Sequence, residues 1–132
     1  MKYLLDTNMC IFLMKNNTSV VNKYKENKKK GIAISSITAA ELYFGVCNSA
    51  NPIKNGENLA KFLIGLKILE FDSISAMEYG NLRAKLWKKG MPIGPLDMLI
   101  ASHAKSKGLI IVTNNVHEFE RIDGLLIEDW LS

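Results

Sequence analysis

Three acidic residues, one hydroxyl residue and one amide residue stand shortly after apolar segments of the sequence. Asp6 ends the stretch KYLLD, Glu41 follows ISSITAA, Asp97 follows MPIGPL, and Thr113 and Asn115 follow LIIV. Carboxylates that are brought together repel and raise each other's pKa unless a cation offsets their charge. A hard divalent cation such as Mg²⁺ takes oxygen ligands of these types and can promote attack of water on phosphorus. These residue types therefore suggest metal-assisted hydrolysis of a phosphate ester.

The elements that would position these residues are predicted from apolar periodicity. Short apolar segments alternate with longer segments of helical period, which is typical of βαβ units and a parallel sheet. The predicted strands cover residues 3–5, 32–35, 68–71, 109–112 and 125–127. The predicted helices cover residues 9–15, 20–29, 38–47, 56–66, 74–89 and 96–107, with a short turn at 116–121. The fold class is thus α/β, with roughly five parallel strands flanked by helices.

A parallel sheet gathers the polar residues at one edge. The loops that follow parallel strands lie along the same edge, where ligands usually bind. Each residue also has a simpler interpretation: Thr38 and Glu41 fit a capping box that places Glu41 in a first helical turn. Asp97 would stabilise a helix N-terminus through the dipole, and Asn115 fits a turn.

Bulk properties indicate one domain, residues 1–132, of ordinary globular composition. The net charge of +4 is compatible with an anionic partner such as nucleic acid. The N-terminus lacks the pattern of a secretory signal and no apolar run is long enough to cross a membrane, so we expect a cytoplasmic protein without membrane contact. Cys10 and Cys47 are predicted to be buried, reduced thiols. His103 and His117 lack zinc-ligand spacing and are assigned structural or surface roles.

Four segments together resemble the motifs of PIN-domain ribonucleases, and specifically VapC toxins of bacterial toxin–antitoxin pairs. The segments are LLDTNMCIFLMK, ISSITAAELYFGV, PIGPLDMLIASHAKSKG and IVTNNVHEFERIDGL. The resemblance implies a PIN-like sheet of about five parallel strands and a metal-dependent endoribonuclease.

The same resemblance assigns roles to individual residues. Asp6, Glu41 and Asp97 match the three acidic positions that hold Mg²⁺ or Mn²⁺. Asn115 matches a fourth catalytic position that is often aspartate, so this chain has one charge fewer there. Asn8 and Thr113 match polar positions that support the site. The implied reaction is in-line attack of water on an RNA phosphodiester.

Partners are also implied by the resemblance. They are a VapB-type antitoxin that covers the active edge, a second copy in a homodimer, and promoter DNA reached only through the antitoxin. The stretches GPLD and TNNVHEF resemble the subgroup that cuts initiator tRNA in its anticodon loop.

Four cationic residues between positions 83 and 89 and four aromatic residues need separate interpretations. The cations are candidates for phosphate contacts with RNA, or else form a solvated helix face: Arg83, Lys85, Lys88 and Lys89. Four aromatic residues at helical spacing are predicted to pack in the core or in an interface rather than to stack on bases: Tyr43, Phe44, Tyr79 and Trp87.

Alternative functions leave different signatures. A haloacid-dehalogenase-type phosphotransferase would have a second aspartate where this chain has Asn8, and a receiver domain would have paired acids after the first strand. Both fit poorly. A catalytically weak PIN domain that serves as an RNA-binding or protein-interaction module remains open, since Asn115 removes an acidic group.

Overall fold

The computed structural model describes residues 1–131, which form one parallel sheet covered by helices. The strands are β1 (Tyr3–Leu5), β2 (Ile32–Ser35), β3 (Lys67–Leu69), β4 (Ile110–Val112) and β5 (Ile127–Glu128). The helices are α1 (Thr7–Met14), α2 (Thr18–Asn27), α3 (Ser36–Cys47), α4 (Pro52–Ile64), α5 (Ser73–Lys88), α6 (Pro95–Ser106) and α7 (Val116–Phe119), with a 3₁₀ segment at Lys28–Lys30.

The strand order β3-β2-β1-β4-β5 places β1 at the centre of the sheet. All four strand pairs are parallel. The chain leaves β1 first towards β2 and β3 and later returns to the other side as β4, so the order reverses beside β1. Such a reversal opens a crevice at the carboxyl ends of the strands. The predicted fold class is confirmed.

Both faces of the sheet are buried, as the alternation of side chains in β1 shows. Leu4 points into a core that α5 and α6 cover, whereas Tyr3 and Leu5 point into a second core under α1 to α4. Successive strand residues face opposite sides, so a strand covered on both faces is apolar throughout. That rule accounts for the uninterrupted apolar run of β1.

Several predicted boundaries shift. The first two strands match, while the third begins one residue earlier than predicted and the last is confined to Ile127–Glu128. The stretch 49–56, interpreted as a loop, instead contains the start of α4, because Asn51 caps the helix and Pro52 occupies its first turn. Gly108 follows α6 with φ +66°, and this confirms its prediction as a helix-terminating glycine.

The predictions of burial are met only in part. Of the four aromatic residues predicted to pack in the core or in an interface, Tyr79 is partly buried and packs against the core. Tyr43, Phe44 and Trp87 are 53%, 69% and 71% exposed and lie outside the core, so for them only packing in an interface stays a prediction. Cys10 is buried but Cys47 is exposed, and both are free thiols. Across residues 1–131 no helix combines the length and apolar character needed to cross a bilayer.

Candidate active site

Asp6 lies at the centre of the sheet edge, directly after β1, and caps α1. Its backbone N–H donates to the carbonyl of Val112, the last residue of β4, at 3.0 Å. Its Oδ1 accepts from the N–H of Met9 at 2.8 Å. Capping explains the position of the residue in the chain but leaves its charge unbalanced, because the side chain is only 3% exposed.

The charge of Asp6 is opposed by its surroundings. The pKa of Asp6 is raised to about 6, mainly by burial, with smaller contributions from the charges of Asp97 and Glu41. Hydrogen bonds from the side chain of Thr113 and the N–H of Met9 lower the pKa but do not offset burial. Thr113 is buried just after β4 and lies next to this carboxylate. Its supporting role, which the family resemblance implies, stays a prediction.

Glu41 reaches the site from the second turn of α3. The hydroxyl of Thr7 donates to Glu41 Oε1 at 2.6 Å and lies 3.4 Å from the hydroxyl of Thr38. The predicted capping box is wrong, because α3 is capped by Ser35, whose Oγ accepts from the N–H of Ile37 at 3.0 Å. The Glu41 carboxylate therefore does not bond back to a helix cap and instead accepts the hydrogen bond from Thr7 at the start of α1.

Asp97 is the third residue of α6, which Pro95 opens. Burial raises the pKa of Asp97, and the charges of Glu118 and Glu41 add to the effect. The charges of Glu41 and Asp97 both contribute to the raised pKa of Asp6, and Glu41 also acts on Asp97. The structure therefore brings Asp6, Glu41 and Asp97 to one edge of the sheet.

Glu118 is a member of the site that sequence reasoning missed. The amide of Asn115 donates to Glu118 Oε2 at 2.8 Å, and the N–H of Asn115 donates to Thr113 Oγ1 at 2.9 Å. Asn115 thus orients an acidic group rather than replacing one. A signal was present, because Glu118 follows Asn115 by three residues, a spacing that brings side chains together in a helical turn.

The remaining predicted site residues lie on α1 and on or just after α5. Asn8 is exposed in the first turn of α1. The candidate RNA contacts lie on the last two turns of α5 and in the residue after it: Arg83, Lys85, Lys88 and Lys89. Lys89 forms an ion pair with Asp123 at 3.4 Å.

The donor atoms at this edge of the sheet suit a divalent cation. The side chains offer carboxylate, amide and hydroxyl oxygens, which suit Mg²⁺ or Mn²⁺ better than zinc. Within residues 1–131 no three acidic, histidine or cysteine side chains already form a closed metal-ligand cluster. The fit therefore rests on the chemistry of the donors and on the carboxylates of Asp6 and Asp97, whose pKa values are raised by burial and by neighbouring acids. A bound cation would offset this accumulation of negative charge.

A buried hydrogen bond links the helices that carry Glu41 and Asp97. His103 on α6 is fully buried, and its Nδ1 lies 2.8 Å from the Oγ of Ser35, the cap of α3. Burial lowers the pKa of His103, with a smaller contribution from Lys107. The predicted structural role of His103 agrees with this position.

An apolar groove of about 920 Å³ begins at the site and runs between α1, α3 and α4. Thr7 and Glu41 line its end at the site, and Lys15 and Lys61 are cationic residues of its lining. Apolar side chains supply much of the remaining lining: Ile11, Leu13, Met14, Leu42, Val46, Leu59 and Phe62. A segment bound in this groove would adjoin the carboxylate of Glu41.

Comparison with known proteins gives matches over nearly the whole chain. The model of the PIN domain family matches residues 3–125. A protein of Salmonella typhimurium named tRNA(fMet)-specific endonuclease VapC is 44% identical over 98% of both chains. Ribonuclease VapC2 of Haemophilus influenzae is 42% identical over 99% of both chains.

Solved structures agree with the sequence matches. The chain aligns with a structure of VapBC2 from Rickettsia felis bound to a promoter DNA fragment, with a TM-score of 0.94, 42% identity, and coverage of 98% of this chain and 99% of that chain. It aligns with DNA-bound VapBC from Salmonella typhimurium with a TM-score of 0.93, 44% identity and 98% coverage of both chains.

Proposed function

This chain belongs to the VapC ribonucleases of the PIN domain family, and from that premise we propose that it hydrolyses RNA with a divalent metal ion held by Asp6, Glu41 and Asp97. It is the toxin member of a VapBC-type pair. The observation that carries the metal proposal is the buried carboxylate of Asp6, whose pKa of about 6 reflects burial and two neighbouring acids.

The protein's own residues prepare the site before substrate arrives. Met9 and Thr113 fix the orientation of Asp6 by donating hydrogen bonds to its carboxylate. Thr7 holds Glu41 towards the same edge at 2.6 Å. Fixed carboxylates need no reorganisation during the reaction, which is how preorganised groups lower a barrier.

Asn115 and Glu118 form the fourth part of the site. The amide of Asn115 holds the carboxylate of Glu118, and the charge of Glu118 raises the pKa of Asp97. The family resemblance matched only Asn115 to the fourth catalytic position, which is often acidic. We propose that Glu118 supplies the carboxylate of this position. Mg²⁺ or Mn²⁺, when bound by Asp6, Glu41 and Asp97, would supply positive charge beside the scissile phosphate and lower the pKa of an attacking water.

The substrate that we propose is initiator tRNA, cut in its anticodon loop. The Salmonella and Shigella flexneri relatives, 44% and 45% identical, are named tRNA(fMet)-specific endonucleases. Proteins that read RNA sequence usually contact unpaired loops, whose bases are accessible. Such a substrate also implies that the protein acts in the cytoplasm.

The partner that we propose for the apolar groove is an extended segment of a VapB-type antitoxin. The similar Rickettsia and Salmonella proteins were solved as VapBC complexes with DNA. Because Thr7 and Glu41 line the groove, a bound segment would obstruct the site. Contact with promoter DNA would then be made by the antitoxin. The homodimer stays a prediction.

The test of the proposed function is cleavage of total tRNA by antitoxin-free protein, with Mg²⁺ or Mn²⁺ against EDTA. We expect one discrete product that requires the metal and is absent with Asp97→Asn. Asp129→Asn is the matched control, because this residue is exposed and does not contribute to the raised pKa values of Asp6 and Asp97. RNA binding without any metal-dependent cut would instead support a non-catalytic module.

A further inference from the structure

The C-terminal half of α5 presents an exposed tryptophan beside a shallow groove. Trp87 is 71% exposed. The groove, of about 410 Å³, is lined by Gly80, Arg83, Ala84, Trp87 and Lys88. Tryptophan is highly buried on average, so an indole ring this exposed offers an apolar face that a ligand can cover.

The spacing along α5 explains the shape of the groove. Leu82 and Leu86 are buried in the core, and Gly80, Ala84 and Trp87 lie on a different, exposed face. Residues four and seven positions apart share one helix face. The two small residues therefore leave a recess next to the indole ring, where a flat group can lie against it.

Cations border this recess. Arg83 and Lys88 line it directly. Arg83 donates to the hydroxyl of Tyr79 at 3.0 Å, which limits the positions of its guanidinium group. Lys85 adds a further charge on the same two turns. A flat apolar surface flanked by cations suits a ligand that combines a planar ring with negative charge.

The groove lies at the same end of the helical layer as the candidate active site. The start of α5 contacts the end of α6, since Glu78 pairs with Lys105 at 3.5 Å and Ser75 lies 2.9 Å from Ser106. The two helices are therefore antiparallel. Continuing this register places Trp87 level with the first turn of α6, which carries Asp97.

We propose that this groove binds an unpaired base of the RNA substrate, which stacks on Trp87 while Arg83 and Lys88 contact the flanking phosphates. The inference rests on the proposed ribonuclease function and adds a contact outside the acidic cluster. Nucleobases stack on exposed aromatic rings, and phosphate contacts supply the sequence-independent part of the affinity. An acidic site requires such cations nearby, because its own charge repels RNA.

Intrinsic fluorescence gives a direct test, because the chain has two tryptophans in contrasting environments. Trp130 is 1% exposed and packs against Tyr3, so added RNA should affect Trp87 selectively. Single-stranded oligouridylate is titrated into the full chain in EDTA, which prevents cleavage, and a fully paired RNA duplex serves as the control. We expect the single strand to quench the emission, and no matching quench in Trp87→Phe.

Affinity and kinetics separate stacking from general attraction. Trp87→Leu keeps apolar bulk but removes the aromatic face, and should weaken single-strand binding about 5- to 100-fold. Trp87→Phe should retain most of the affinity. Duplex binding should be unchanged in both variants. With Mg²⁺ present, Trp87→Leu should raise KM for RNA and leave kcat near the wild-type value, because the residue contacts substrate away from the reacting phosphate.

Three results would overturn the inference. The first is saturating single-stranded RNA that leaves Trp87 emission unchanged. The second is equal loss of single-strand and duplex binding in Trp87→Leu, which would make the effect electrostatic or structural. The third is protection of Trp87 from acrylamide that grows with protein concentration, which would assign this face to a second copy of the chain. If any of these results is obtained while the wild-type protein still cleaves RNA, the base-stacking inference fails and the proposed ribonuclease function does not.

Discussion

The substitution Asp6→Asn distinguishes the contribution of the Asp6 carboxylate to RNA cleavage from its effect on the stability of the fold. Asparagine has nearly the same shape and, like aspartate, caps helices well, so the bond from the N–H of Met9 can persist. The change removes the charge that burial, Asp97 and Glu41 oppose. We therefore expect loss of RNA cleavage together with a more stable metal-free protein.

The magnitude follows from the pKa of Asp6. The folded value of about 6 lies above the ordinary value of 3.8. At neutral pH, where Asp6 is ionised, this difference in pKa lowers the free energy of unfolding by about 3 kcal/mol. In Asp6→Asn the hydrogen bond from Thr113 is weaker, because its acceptor is no longer charged. We therefore expect the substitution to raise the free energy of unfolding by about 1 to 3 kcal/mol in total.

The sign of the pH dependence can be stated in advance. Folding favours the protonated form of Asp6, so its ionisation destabilises the protein fully above about pH 6. That contribution fades as the pH falls through about 6 and vanishes below the unfolded value of 3.8. The stability difference between Asp6→Asn and wild type should therefore be largest at neutral pH and small near pH 4.

Urea unfolding in EDTA at several pH values measures this difference. Comparing two proteins cancels the titration of groups that they share. Asp129→Asn, at an exposed position, controls for the loss of one charge. A variant less stable than wild type at neutral pH, or a difference that does not change with pH, would refute the reasoning. Added Mn²⁺ should raise the Tm of wild type more than that of Asp6→Asn.

Three further substitutions address other parts of the site. Glu118→Gln should reduce RNA cleavage at least tenfold and lower the pKa of Asp97, measured by NMR titration, whereas Glu120→Gln should do neither. His103→Leu should weaken Mn²⁺ binding and lower kcat by loosening the link between α3 and α6, and His103→Asn, which can still bond to Ser35, should restore both; equal Mn²⁺ affinity in the two variants would argue against this role. Gly45→Leu should fill the apolar groove and weaken antitoxin binding while RNA cleavage continues, because Gly45 lines the groove and a Cβ there meets no atom within 4 Å; unchanged antitoxin affinity would place the partner elsewhere.

The sequence predicted the sheet well because its strands are buried on both faces. β1 and β2 are continuous apolar runs, and the predicted ranges 3–5 and 32–35 coincide with them. β5 was placed too early, since only Ile127 and Glu128 pair with β4. A two-residue edge strand has too few side chains to set a period, so its position depends on tertiary pairing.

The sequence was least informative where the neighbours of an element decide which of several suitable residues caps or buries it. Ser35 and Thr38 are both suitable caps for α3, and the end of β2 decides in favour of Ser35. Trp87 has the spacing of a core residue, but α5 uses only one face against α6. In both cases the missing information is which neighbour the element packs against, and periodicity alone cannot supply it.

Asn115 shows how a departure from a motif can be compensated within a single turn. Read alone, the residue removes an acidic charge from the fourth site position, which would weaken attraction for a divalent cation. Its amide instead donates to Glu118, and the effect of Glu118 on the pKa of Asp97 places that carboxylate within electrostatic range of the site. A carboxylate at position 115 would repel Glu118 rather than orient it. We therefore propose that the amide at position 115 and the acid at position 118 act as one unit, which keeps the charge of the site while moving it three residues along the chain.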